Sequence, residues 1–211
     1  MKVEIWSDFV CPFCYIGKKK FEKALASFSA KDEVEVIWKS YQLDPEVREK
    51  KHDKALDYMT ETKGLTKEAV EEMFQHVEQM ANEEGLNYDL KRTIPANTFK
   101  AHKLMQLAKS KRKGDLVEEH LFSSHFLEFK DIDDEDVLRE IGRAIGLADT
   151  DIESAFTEKT YEDKVSADIY EARQVGVRGV PFFVFDKKYA ISGAQPADAF
   201  LEVLSKVKSE S

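Results

Sequence analysis

Cysteine is nearly absent, with two among 211 residues. That excludes a disulfide-stapled secreted scaffold, which packs several bridges into a short chain. Long apolar runs are missing as well. No stretch approaches the roughly 18–20 residues of a membrane span. The opening MKVEIWSDFV also lacks the apolar segment of about 7–15 residues that a secretory signal carries. The chain therefore reads as soluble and cytoplasmic. Basic residues are the minority, 32 Lys and Arg against 41 Asp and Glu, for a formal net charge of −9. A non-specific nucleic-acid or anionic-membrane surface needs the opposite excess, so neither is expected as a partner. The run Lys18, Lys19, Lys20 reads as a solvated helix face. No Pro/Gly/Ser-rich linker and no internal repeat interrupts the chain. What is present is 42% hydrophobic residues with 14 Phe, 7 Tyr and 2 Trp. That is enough for a packed core and too aromatic for disorder.

The two cysteines are Cys11 and Cys14, framing Pro12 and Phe13. Random placement of two cysteines would give that spacing about 1% of the time, so chance explains it poorly. A structural bridge across so short a loop restrains the unfolded chain little. A reducing cytoplasm would not keep an unselected bridge closed. Redox chemistry or metal binding remains. A structural zinc site wants four ligands, and the thiols supply two. The histidines are His52, His76, His102, His120 and His125. None pairs at a recognised zinc spacing, although His120 and His125 are five apart, so no metal is expected. The acidic stretch Asp131 to Asp136 lacks the glycine and terminal glutamate of an EF-hand loop and reads as a helix start.

Lys2 to Trp6 reads as a strand, with Val3 and Ile5 on one face and Glu4 on the other. The cysteine pair follows and opens an amphipathic helix carrying Ile16, Phe21, Ala24, Leu25 and Phe28. Val34 to Trp38 is a second strand. From about Pro45 the pattern is helical for roughly 130 residues. One stripe holds Ala69, Val70, Met73, Phe74, Val77 and Ala81; Asn97 to Lys111 holds Ala101, Leu104, Met105 and Ala108. A third helix runs from about Asp115 through Leu121, Phe122 and Phe126. Asp133 is a candidate cap for the helix of Val137, Leu138, Ile141 and Ile145. Thr150 with Glu153 suggests a capping box for a further one. Phe182 to Phe185 and Tyr189 to Ser192 form a hairpin across Asp186-Lys187-Lys188. Gly193 marks a turn, and Pro196 starts a helix buried along Phe200, Val203, Leu204 and Val207. The fold class is α/β: a thioredoxin-like fold with a large all-helical insertion between its β-α-β and β-β-α halves. Residues 1–44 and 177–211 form the thioredoxin-like domain, and 45–176 the helical insertion subdomain.

Dithiol exchange needs one thiol that attacks as thiolate and a second close enough to resolve the mixed disulfide. At the helix start, backbone N–H groups and the dipole favour negative charge, which marks Cys11 as the attacking sulfur. Cys14 lies one turn in and is the resolving thiol. Pro12 fits an early helical position, and Phe13 adds apolar surface beside the sulfur. The run Gly176 to Phe182 carries the second element. Proline entering a strand donates no ladder hydrogen bond. A cis Val180–Pro181 bond would turn the chain beside the cysteines and leave the Val180 backbone open to an extended substrate. A trans proline at a strand's first residue is the plainer alternative.

The segments SDFVCPFCYIGKKKFEKAL, IPANTFKAHKLMQLA, HLFSSHFLEFKDIDD and GVRGVPFFVF with YAISGAQP resemble the DsbA-like family of FrnE type. That family is related to 2-hydroxychromene-2-carboxylate isomerase and kappa-class glutathione transferases. The likeness spans roughly residues 3 to 205. It implies a redox-active CxxC at Cys11 and Cys14, a cis proline at Pro181, and a protein disulfide oxidoreductase or disulfide isomerase. The isomerase and transferase branches carry serine where this chain has Cys11 and lack the second cysteine. Substrate contacts are expected at Pro12, Phe13, Val180 and Pro181. Asn97 lies on the segment resembling the family's cover over the active site, where it is either a substrate contact or a helix cap. His102 reads as a packed or surface histidine.

Two departures matter. Thioredoxins place a buried acid six residues before the first cysteine, and here that position is Ile5. Glu4 and Asp8 are neighbours expected to point elsewhere, so no proton shuttle is assigned. The Pro-Phe dipeptide lacks the histidine of strongly oxidising DsbA proteins, which implies an intermediate potential. The partners expected are protein or low-molecular-weight thiols and disulfides. No cofactor is called for, and glutathione would enter as a thiol partner. The chain would act as a monomer or homodimer. The alternatives are a glutathione-dependent isomerase or transferase, and a non-catalytic adaptor that would have no need of paired thiols.

Overall fold

The computed structural model describes residues 1–47 and 54–210; His52 lies outside them. In chain order the elements are β1 (Lys2–Ser7), α1 (Pro12–Ser27), β2 (Glu35–Ser40), α2 (Ala55–Glu61), α3 (Lys67–Glu83) and α4 (Phe99–Ser110). Then come α5 (Gly114–Phe126), α6 (Glu135–Ala144), α7 (Asp149–Thr157), α8 (Lys159–Val175), β3 (Phe182–Phe185), β4 (Tyr189–Ser192) and α9 (Ala197–Ser209). The described residues form two compact units, Met1–Leu43 with Ser166–Ser211, and Asp44–Val165.

The first unit is built on a four-stranded sheet in the order β2-β1-β3-β4. β1 runs parallel to β2 and antiparallel to β3, and β3 pairs antiparallel with β4. This is a thioredoxin-like fold, and the strands follow from the β-branched and aromatic runs seen in the sequence. Val3 and Ile5 are fully buried on one face of β1. On that side α1 and α9 close an aromatic core. Phe21 lies 5.6 Å from Phe183 and 5.7 Å from Phe200, centroid to centroid, and Phe183 lies 4.6 Å from Phe200. Each fully buried Phe contributes roughly 1.5–3 kcal/mol of transfer free energy.

The other face of the sheet is also covered. Trp6 packs there with Ala172, Val177 and Val184. The Trp6 indole N–H donates to the Asp168 carbonyl at 3.0 Å, and the Ser40 N–H donates to the Asp168 carboxylate at 3.0 Å. The Lys39 ammonium stands 2.7 Å from Glu171, 3.4 Å from Glu4 and 3.4 Å from Asp168. Burial works to lower the Lys39 pKa, but the three carboxylates outweigh it and hold it above the usual lysine value. The sequence puts the end of the insertion at 176, whereas α8 from Ser166 onward belongs with the sheet. Its anchors are the small Ala172 and the polar Asp168 and Glu171, so no long apolar stripe announces them.

The β3–β4 turn places Asp186 and Lys187 in the left-handed region, at φ 46° and 57°. The Asp186 carboxylate accepts from the Lys2 N–H, tying this turn to the start of β1.

The second unit is all helical. α3 is capped by Thr66, whose hydroxyl accepts from the Ala69 N–H at 3.2 Å. It buries Val70, Phe74, Val77 and Ala81, while Met73 is exposed. α4 packs against α5, α6 and α7 and is buried nearly all round. Two expected caps fall elsewhere. Asp134, not Asp133, caps α6 by accepting from the Asp136 N–H at 2.9 Å. Asp131 accepts from the Asp133 N–H in the turn before it. The Thr150–Glu153 box does not form, because α7 starts two residues earlier, with Ala148 as its N-cap, and Glu153 pairs with Arg139 at 2.6 Å. Pro196 is the N-cap residue of α9, one position before the first turn.

Candidate active site around Cys11 and Cys14

β1 ends at Ser7, and the chain turns through Asp8 to Val10 before α1 begins. Cys11 is the N-cap residue of α1, at φ −89° and ψ 110°, with Pro12 in the first turn. Pro12 fits because the first helical N–H groups have no intrahelical partner to lose. The Cys11 N–H donates to the Asp8 carbonyl at 3.0 Å, and the Cys14 N–H to the Cys11 carbonyl at 3.0 Å. Both cysteines are free thiols. Cys11 keeps a sliver of surface, at 4% exposure, and Cys14 has 1%. Phe13, between them, is 38% exposed and offers an apolar face to solvent.

The two thiols sit in unlike surroundings. Burial pushes the Cys14 thiol well above its ordinary pKa. The Cys11 sulfur pushes the same way, accepting from the protonated thiol and repelling the thiolate. The Asp8 backbone N–H and the Ser7 hydroxyl pull in the opposite direction. The balance keeps Cys14 in its protonated form in the dithiol state.

The Val180–Pro181 peptide is cis, and it lies against the cysteine pair: the Cys11 thiol donates to the Val180 carbonyl at 3.5 Å. The sequence leaves the Val180 backbone open to a substrate; in the dithiol state its carbonyl is taken by Cys11. The Pro181 carbonyl accepts from the Gly193 N–H at 2.8 Å, tying the corner to the end of β4. On α1, Gly17 makes room for it. A Cβ at Gly17 would lie 2.9 Å from Pro181 Cγ and 3.5 Å from Ala194 Cα. The Lys20 ammonium donates to the Ala194 carbonyl at 3.3 Å and fastens the same segment.

Gly17 and Ser7 are the residues that sequence reasoning passes over, and Asp8 enters it only as a candidate proton shuttle. Gly17 left one signal: glycine in a helix interior costs about 1 kcal/mol relative to alanine, so its presence suggests a close approach. Asp8 is fully buried; its carboxylate accepts from the Leu43 N–H at 2.7 Å, and it is its backbone that bears on Cys14. Glu4 lies on the opposite face of β1 from Ile5, paired with Lys39.

Asn97 belongs to the helical unit. Its side-chain oxygen accepts from the Phe99 N–H at 3.0 Å, and its amide donates to the Val47 carbonyl at 2.8 Å and the Pro45 carbonyl at 3.3 Å. These bonds make it an Asx turn and a clamp one residue before Thr98, which is the N-cap of α4, so the expected cap falls one position on; a substrate role rests on the resemblance alone. His102 is fully buried within α4.

A thioredoxin-like sheet, a helical insertion and a CxxC at a helix mouth under a cis proline define a dithiol protein of the DsbA-like class. The DsbA-like thioredoxin domain model matches residues 2–205, so the chain belongs to that family of thiol oxidoreductases. It is similar to the crystal structure of the probable DsbA oxidoreductase SCO1869 from Streptomyces coelicolor, at 36% identity and a TM-score of 0.92, covering 100% of this chain and 91% of that one. The uncharacterized protein YwbO of Bacillus subtilis is 28% identical over 208 residues, 96% of this chain and 95% of YwbO. Two further structures share the fold. They are the cytosolic disulfide reductase DsbM of Pseudomonas aeruginosa, at 15% identity, a TM-score of 0.69 and 100% coverage of both chains, and a 2-hydroxychromene-2-carboxylate isomerase, at 14%, a TM-score of 0.72 and coverage of 99% and 95%. At these identities both likenesses bear on the fold alone. Among the described residues no helix is long and apolar enough to cross a membrane.

Proposed function

We propose that this chain is a thiol–disulfide oxidoreductase of the cytoplasm, exchanging the Cys11–Cys14 dithiol with disulfides of proteins or small molecules. The observation that carries this reading is the asymmetry of the pair, with Cys11 at the helix mouth and Cys14 buried with its thiol pushed up. Cys11 attacks a substrate disulfide as thiolate, forms a Cys11–substrate bond and expels one substrate thiolate, which takes a proton from solvent. Cys14 then loses its proton and attacks the Cys11 sulfur. The substrate leaves as its second thiol, and the protein is left as the disulfide. Two protein thiols are oxidised for each substrate disulfide reduced, and the reverse sequence oxidises a substrate dithiol. The Val180 carbonyl lies against the attacking sulfur; the Val180–Pro181 corner and the exposed Phe13 are the contacts assigned to substrate, with Pro12 shaping the turn between the thiols. Glutathione needs no cofactor site in this scheme; it serves as a thiol partner.

The test is reduction of insulin or cystine by the wild-type protein and by Cys11→Ser and Cys14→Ser variants. Turnover lost in both variants supports the reading. Full activity of Cys14→Ser in a glutathione-dependent isomerisation of an aromatic substrate would instead make the chain an isomerase.

A further inference from the structure

The second half of that exchange creates a charge in a place hostile to it. Cys14 must become a thiolate, or leave as one in the reverse direction, at a site with 1% exposure. We propose that the Ser7 hydroxyl and the Asp8 backbone N–H form a two-donor cradle for the Cys14 sulfur, holding the negative charge as the mixed disulfide is resolved. The inference rests on the dithiol-exchange function and adds Ser7 to the reacting groups.

Three observations support it. Ser7 is 2% exposed, and its Oγ is buried with no hydrogen-bond partner in proper geometry. An idle buried hydroxyl carries a desolvation cost, so it calls for a reason. The reason lies beside it: the Ser7 hydroxyl and the Asp8 N–H both act on the Cys14 sulfur, and both favour its ionised form. Third, the backbone presenting these donors is pinned on every side. The Ser7 carbonyl accepts from the Tyr41 N–H at 3.1 Å, and the Asp8 carbonyl from the Cys11 N–H at 3.0 Å. The Asp8 carboxylate accepts from the Leu43 N–H at 2.7 Å. Donors fixed in advance stabilise a developing charge without reorganising, and they act most strongly where water is excluded. In the dithiol state the Ser7 hydroxyl is underused; when the thiolate forms it gains a full partner. Asp8 serves as a positioning residue, its carboxylate anchoring the turn that aims the N–H.

The experiment follows 5,5′-dithiobis(2-nitrobenzoate) reduction by stopped-flow with the full chain. The first thiolate released reports attack by Cys11, and the second reports resolution by Cys14. A hydrogen bond to a charged group is worth a factor of about ten or more, so Ser7→Ala should slow the second phase about tenfold. It should also move that phase's pH midpoint upward, while the first phase keeps its rate. Ser7→Thr, which keeps the hydroxyl, should recover the second phase. A Ser7→Ala protein that resolves at the wild-type rate and pH midpoint overturns the proposal. So does one in which both phases slow together, since that marks a structural role. A wild-type protein that releases no second thiolate refutes the dithiol function itself, and that outcome is distinguishable because it does not depend on Ser7.

Discussion

Replacing Gly17 with alanine isolates the contact that seats the proline corner on the cysteine helix. The new Cβ would come 2.9 Å from Pro181 Cγ. Carbon atoms rest at about 3.5–4.0 Å, so the contact is short by at least half an ångström. The partner is a ring carbon, not the free end of a flexible chain, so the corner must shift as a unit. Stability receives two opposing contributions. Alanine raises helix propensity by about 1 kcal/mol, and overpacking costs about 1–3 kcal/mol. The net effect is a loss of at most about 2 kcal/mol, which leaves the protein folded. Exchange suffers more, because misplacing a reacting group by about 1 Å costs on the order of a hundredfold. A shift of half that size predicts roughly a tenfold fall in disulfide reduction. Insulin turnover and urea denaturation of the variant measure the two effects separately. Gly179→Ala is the matched control, since its Cβ would meet nothing within 4 Å, and it should behave close to wild type. A Gly17→Ala protein that is more stable and fully active would refute the packing argument.

Four further outcomes follow from the same structure. Lys187→Gly relieves a left-handed residue at φ 57° and should stabilise the fold by about 0.5–1 kcal/mol in urea melts, with exchange unaltered. Lys39→Met strands Glu4, Asp168 and Glu171 on the half-buried face of the sheet and should cost about 2–3 kcal/mol, somewhat less than a fully buried pair. Because the Lys39 pKa is raised in the folded state, its contribution is complete below the unfolded lysine value and fades only as pH climbs through the folded one. The wild-type advantage over Lys39→Met should therefore be constant near neutrality and shrink above roughly pH 10.4. The Cys11–Cys14 couple, equilibrated against glutathione, should have a potential between the roughly −270 mV of thioredoxin and the roughly −120 mV of DsbA.

The strands were legible because β-branched and aromatic runs are local signals, and Phe182 to Phe185 fall as read. The cysteine pair was legible for the same reason, since its spacing and its place after a strand are both local. What escaped depends on partners distant in sequence. Asp168 and Glu171 look like ordinary solvated charges on a helix until Trp6, Lys39 and Ser40 are found against them. Glu153 has the spacing of half a capping box, but Arg139 on the neighbouring helix claims it. Ser7 and Asp8 look like a polar turn. Only the fold, which sets them under Cys14 and ties Asp8 to Leu43, reveals their bearing on the chemistry.

Trapping the mixed disulfide tests the division of labour between the thiols most directly. Reduced Cys11→Ser and Cys14→Ser proteins would be mixed with a small aromatic disulfide, and the adducts identified by mass spectrometry. Cys14→Ser should accumulate a stable one-to-one adduct on Cys11, and Cys11→Ser should remain unmodified on the same timescale. An adduct forming readily on Cys14, or on neither cysteine, would contradict the account.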